Sequence, residues 1–158
     1  MRHIFEHVID NKRYIGLGTI DGVLTTVGTA LTAYAMGLDP LVVGTAAAGG
    51  ALALGMTNTF GSYVGEVAEY GGFTHEVVAD MITHGGTTVI GALVPLTPLF
   101  LLPGQWGIIG SLLASLVSLV VLGRFLGKNN GRGIPITVME LVLVGALIAL
   151  VTFTLGGH

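Results

Sequence analysis

The chain has 158 residues, of which 52% are hydrophobic and only 9% charged, against roughly 25% charged residues in an ordinary soluble domain. That balance belongs to an integral membrane protein; a span takes about 20 mostly apolar residues, so the length holds about five spans and no soluble domain. A net charge of -3 without a basic stripe argues against nucleic acid as a partner, and the lack of cysteine excludes disulfides, thiolate metal sites and thiol nucleophiles.

Residues 1–13 set Ile4, Phe5, Val8 and Ile9 at helical spacing among charged residues, the pattern of an amphipathic helix on the membrane surface rather than of a cleaved signal. A first span is expected over 14–37, containing "YIGLGTIDGVLTTVG", and "GLDP" then turns the chain into a second span over 41–64. Residues 65–85, "GEVAEYGGFTHEVVADMITHG", hold four acids and two histidines without a lysine or arginine. They are too polar to span and read as a short acidic connecting segment. The third span, 86–102, contains Pro95 and Pro98, which should kink or break it. "LPGQWG" leads to a fourth span over 106–123, and the loop "GRFLGKNNGRGIP" to a fifth over 135–155. The fold class is therefore an all-α integral membrane protein with five transmembrane helices in one domain, 1–158.

Arg2, Lys12, Arg13, Arg124, Lys128 and Arg132, all the basic residues of the chain, lie before the first span or between the fourth and the fifth. With five spans these segments share a side, so the positive-inside rule places the N-terminus and the acidic 65–85 segment in the cytoplasm and the C-terminus outside. Without an organelle signal the expected location is a prokaryotic plasma membrane.

Asp21 is the residue that asks for a reason. A carboxylate near the middle of a membrane helix costs about 2.5 to 3.5 kcal/mol on insertion scales, and no lysine or arginine lies in any span to pair with it. Gly18 and Gly22 beside it form a small-xxx-small pattern that lets another helix approach. Asn58 and Met56 are the other notable span residues; hydrogen bonding to a neighbouring helix explains the first, and packing the second, as readily as ligation does. Ser111, Ser115 and Ser118 read as a packing stripe. In the acidic segment a continuous helix would set Glu66, Glu69, Glu76, Asp80 and His84 within an arc of about 80°. Such a set suits a divalent ion such as Fe²⁺ or Mn²⁺, and equally a solvated loop. The Gly71-Gly72 pair should interrupt that helix, leaving Glu76, Asp80 and His84 spaced four apart. "HEVVAD" is no zinc-protease signature, because Ala79 stands where the second histidine must be. His3 and His7 fit an interfacial polar face, and His158 is inert.

"IDGVLTTVG" in span one, "GSYVGE" ending span two, "IGALVPLTPLF" in span three and "LGRFLGKNNGR" before span five resemble the vacuolar iron transporter family, known also as the Ccc1-like family. The resemblance implies a five-span homodimer that carries Fe²⁺, with Mn²⁺ as a second ion, out of the cytosol in exchange for protons, along a path between subunits lined by the first spans. Asp21 matches the family's span-one aspartate on that path. Two departures stand out. The long cytoplasmic insertion that gathers metal in plant and yeast members is reduced here to about twenty residues, and Ser62 stands where a span-two glutamate is expected, with Glu66 one turn on. Met56 matches the family methionine only after a two-residue shift.

The resulting expectation is a proton-coupled divalent-metal exporter with no resident cofactor. Asp21 is its central ligand, Met56 and Asn58 are auxiliary, and Glu66, Glu69, Glu76, Asp80 and His84 gather ions. A non-transporting scaffold or metal-sensing subunit using the acidic segment as an interaction surface, and a carrier of a small organic solute, stay open as alternatives.

Overall fold

The computed structural model describes residues 12–129, 131 and 133–157, and only the backbone of Tyr70. Lys12 and Arg13 aside, the expected surface helix lies outside the described residues, as do His3, His7 and His158. Among the described residues there is no strand; five helices, each long and apolar enough to cross a membrane, follow one another through short links. They are α1 (Lys12–Ala35), α2 (Pro40–Tyr70), α3 (His75–Leu101), α4 (Gln105–Asn129) and α5 (Ile134–Gly156).

Local chemistry sets the ends of these helices. Asp39 caps α2, accepting the Leu41 N–H at 2.9 Å ahead of Pro40, a position where the missing proline donor costs nothing. Gly71, at φ +73°, closes α2 and donates to the Val67 carbonyl at 2.9 Å; a left-handed residue of this kind favours glycine. Three residues later Thr74 caps α3 by accepting the Val77 N–H at 3.3 Å. The 65–85 segment is thus helical except at its Gly71–Thr74 link, with Glu66 and Glu69 ending α2 and Glu76, Asp80 and His84 opening α3. The glycine pair interrupts the helix, so the five side chains do not share one arc.

α3 runs unbroken through Pro95 and Pro98. Each ring removes one helical donor, from the carbonyls of Gly91 and Val94, yet Pro95 is fully buried and the Pro98 carbonyl still accepts the Leu102 N–H at 3.0 Å. The expected break does not occur: the helix continues to Leu101, with the hydrogen-bond ladder resuming past both rings.

α3 is the centre of the bundle, packed most extensively on α1 and α2, while α4 and α5 pair beside them. Glycines permit the closest approach. A Cβ at Gly22 would land on the Thr88 carbonyl oxygen, one at Gly18 on Thr87, and one at Gly91 against the backbone of Thr19. The backbones of α1 and α3 therefore touch directly. Ser111 and Ser115 are buried in α4. Most large apolar side chains point outward, including Leu52, Phe60 and Val64 of α2 and Leu143, Leu147 and Leu150 of α5. α5 is almost entirely apolar and only slightly buried, as a helix facing lipid is.

Candidate functional site

Three helices of the bundle each turn a polar edge toward the others. α1 supplies Tyr14 and Asp21. α2 supplies Asn58, Ser62 and Glu66, and α3 supplies Asp80, His84 and Thr88, both sets at a spacing of four that keeps them on one helical face. Together they form a polar seam at the α1, α2, α3 contact, starting at the helix ends that carry the Gly71–Thr74 link and reaching Asp21, nine residues into α1.

At the inner end of the seam Asn58 Nδ2 donates to Asp21 Oδ2 at 3.0 Å and to Thr88 Oγ1 at 2.9 Å. The Thr88 hydroxyl itself donates to the His84 carbonyl at 2.8 Å. Its proton is thereby committed, and both acceptors call for the NH₂ end of the amide, which fixes the orientation of Asn58. His84 Nε2 lies 3.8 Å from Asp21 Oδ2, too far for a hydrogen bond. The same Nε2 is buried and has no hydrogen-bond partner, whereas Nδ1 lies 2.8 Å from Ser62 Oγ. The Tyr14 ring packs beside the imidazole, tilted by 40° with its centre 5.1 Å away. Tyr14 OH donates to Glu66 Oε1, joining α1 to α2 at the outer end of the seam.

Two open spaces lie near this group. A cleft of about 200 Å³ is lined by Arg13, Tyr14, Asn58, Ser62 and His84, though not by Asp21 itself. A broad groove of about 650 Å³ follows α1 from Asp21 past Thr25, Gly28 and Thr32 to Met36, with Thr152 of α5 on its far wall. The Asp21 side chain is 43% exposed, and His84 14%. The carboxylate is therefore reachable while the imidazole is held.

The residues singled out from sequence fall into three groups. Asp21, Asn58 and His84 come together. Glu66 and Asp80 are buried, at 7% and 5% exposure, facing inward at the end of the bundle, while Glu69 and Glu76 are exposed around the Gly71–Thr74 link. Met56 is 64% exposed on the stripe of Leu52 and Phe60; two residues from Asn58 it points about 160° away around α2, and this chain does not bring it to Asp21. Among the described residues no three histidine, aspartate or glutamate side chains gather closely enough to hold a metal ion. The grouping at Asp21 has two, with the Asn58 amide as the third polar ligand type. Ser62, Thr88 and Tyr14 are participants that sequence reasoning did not assign to this site. For Ser62 and Thr88 the signal was available in the spacing 58, 62, 66 on one helix and 80, 84, 88 on the next, while Tyr14 belongs to neither series. Glu140, exposed in the second turn of α5, is a further acid in an apolar helix that the reading by spans passed over.

Comparison with known sequences bears on the same region. A sequence model described as the VIT family matches residues 68–157, more than half of the chain. The match begins in the last turn of α2 and includes Asp80, His84 and Thr88, with Asp21, Asn58 and Ser62 lying before it. An uncharacterized protein of Methanocaldococcus jannaschii is 25% identical over 165 residues, a similarity that covers 89% of this chain and 86% of that one.

Proposed function

The chain belongs to the VIT family, a family of membrane metal-ion transporters rather than enzymes, and from that premise we propose that this multi-pass membrane protein exports Fe²⁺ from the cytosol in exchange for protons. Mn²⁺ is a second substrate. The observation that carries the reading is Asp21, a half-exposed carboxylate within an apolar helix that forms no ion pair with lysine or arginine among the described residues. In this proposal a proton and a metal ion compete for the same carboxylate oxygens. Metal binding on the cytoplasmic side therefore releases a proton, and a proton arriving from outside releases the metal.

In this reading the basic ends of α1 and α4 face the cytoplasm of the cell whose plasma membrane holds the protein, and the C-terminus lies outside. Glu69 and Glu76, exposed at that end, raise the local concentration of divalent ions, and the cleft beside Ser62 reaches Asn58 and His84, the neighbours of Asp21. The groove along α1 continues the path, with threonine hydroxyls to replace waters of hydration. The open face of α1 is where a second copy docks in the proposed homodimer, setting two Asp21 carboxylates across the path.

Replacing Asp21 with Asn keeps the size and one oxygen to accept from Asn58 but removes the exchangeable charge. The purified D21N protein, reconstituted in proteoliposomes, should elute as the wild type does on size exclusion yet show no Fe²⁺ flux and no coupled proton movement. Unchanged flux would remove the mechanism.

A further inference from the structure

We infer that His84 is a nitrogen ligand of the ion held at Asp21, positioned by Ser62, and that this pair makes the site prefer Fe²⁺, Co²⁺ and Zn²⁺ over Mn²⁺, Mg²⁺ and Ca²⁺. The inference rests on the transport reading above and adds to it the chemistry of selection.

The geometry has three parts. First, Nε2 of His84 and Oδ2 of Asp21 face one another at 3.8 Å, and Nε2 is buried with no hydrogen-bond partner. A polar atom left in that condition is costly unless something else occupies the space in front of it. A first-row divalent ion bonded to both atoms at about 2.1 Å would span this gap with an N–M–O angle of about 130°. A tetrahedral angle needs about 3.4 Å between the two atoms, so the site lies a few tenths of an ångström from a ligating arrangement before anything moves.

Second, the opposite ring nitrogen is already engaged. Nδ1 lies 2.8 Å from Ser62 Oγ, and when that oxygen accepts the Nδ1 proton the lone pair is on Nε2, aimed at Asp21. An oxygen acceptor on the far nitrogen is the usual support of a metal-bound histidine, fixing tautomer and ring orientation. Ser62 itself is buried at 5% exposure, on the same face of α2 as Asn58. The serine in place of a span-two glutamate thus has a physical use, because a hydroxyl orients the imidazole without bringing a second carboxylate to the ion.

Third, the ligand set is of mixed character. Asp21 and the Asn58 amide supply oxygen, to which any divalent ion binds. Imidazole nitrogen discriminates: it suits iron, cobalt and zinc, whereas Mg²⁺, Ca²⁺ and Mn²⁺ favour all-oxygen shells. Met56, 64% exposed on the outer face of α2, supplies no thioether to the site within this chain, so the borderline donor is His84. To ligate through oxygen, Asn58 must turn its amide over, exchanging its bonds to Asp21 and Thr88 for the ion.

The test uses Co²⁺ as the probe, read by its visible d–d bands in the purified full-length protein, together with competition between Co²⁺ and Mn²⁺ for uptake in proteoliposomes. In H84Q, which replaces nitrogen by amide oxygen, the bands should shift, and the Co²⁺ over Mn²⁺ preference should fall by at least about tenfold. S62A keeps the ring and removes its support; it should show a smaller fall in the same ratio, a change that loss of packing alone would not produce. If H84Q and S62A keep the wild-type bands and ratio while D21N loses both, His84 is not a ligand and the transport reading stands. A wild type that gives neither Co²⁺ bands nor divalent-ion flux overturns both. Should H84Q fail to fold, S62A decides the matter alone.

Discussion

The direct backbone contact between α1 and α3 yields a sharp prediction at Gly22. A methyl group there would fall on the Thr88 carbonyl oxygen and 2.8 Å from the Ala92 nitrogen, neither of which is the mobile end of a side chain. Restoring an ordinary separation of 3.4 Å at Ala92 alone parts the two helices by about 0.6 Å, and the Thr88 contact demands more. Overpacking of this kind costs about 1–3 kcal/mol, offset by less than about 1 kcal/mol from the better helix propensity of alanine. Gly49, in the exposed part of α2 with nothing within 4 Å of an added Cβ, provides the control: G49A gains the propensity without the clash. Thermal unfolding followed by circular dichroism in detergent should place G22A several degrees below wild type, at about 2–4 °C per kcal/mol, and G49A at or above it. Asp21 is the residue next to Gly22, so the same opening also stretches its bond to Asn58, and Fe²⁺ flux should fall with stability. If G22A melts with wild type and transports normally, the α1 and α3 contact is not what the packing argument holds it to be.

Two further outcomes follow from where the structure puts the remaining side chains. M56L should leave Fe²⁺ flux within about twofold of wild type, because the thioether lies about 160° around α2 from Asn58; a tenfold loss would show that Met56 reaches the ion from a second copy. Neutralising Glu69 and Glu76 together as E69Q/E76Q should raise the Fe²⁺ concentration giving half-maximal flux while leaving the maximal rate, and the rise should shrink as ionic strength increases; an unaltered half-maximal concentration would return both acids to the role of a solvated surface.

The five helices could be read from hydropathy because lipid-facing residues dominate each of them, α5 most plainly. Asp21 could be read because a carboxylate in such a stretch is conspicuous by cost alone. Hydropathy falls silent where a helix continues with polar residues turned inward, which is why residues 65–70 and 75–85 read as a connector although they extend α2 and α3. His84 was assigned to that connector for the same reason. Its place opposite Asp21 follows from α3 being helical from His75 onward, after the Thr74 cap, so that residues 80, 84 and 88 recur on one face. The pairings Asn58 with Asp21, His84 with Ser62 and Tyr14 with Glu66 join residues 22 to 52 positions apart, beyond the reach of any local pattern. The prolines of α3 do not break it, since the rule for an isolated helix leaves out the packing that buries Pro95.

The glycine contact also bears on how the protein can move. α2 also meets α3 through glycine, since a Cβ at Gly85 would fall on Thr59 and 2.7 Å from the Gly55 carbonyl oxygen, and the Gly71–Thr74 link joins the two helices at one end. α1 meets α3 at Gly18, Gly22 and Gly91, and the Thr87 hydroxyl, packed against Gly18, also lies 3.2 Å from the Tyr14 carbonyl oxygen. Both α1 and α2 thus lie close against the backbone of α3, and any shift of α1 that alters the 3.8 Å between Asp21 and His84 must also strain the Tyr14 to Glu66 and Asn58 to Asp21 bonds that hold it to α2.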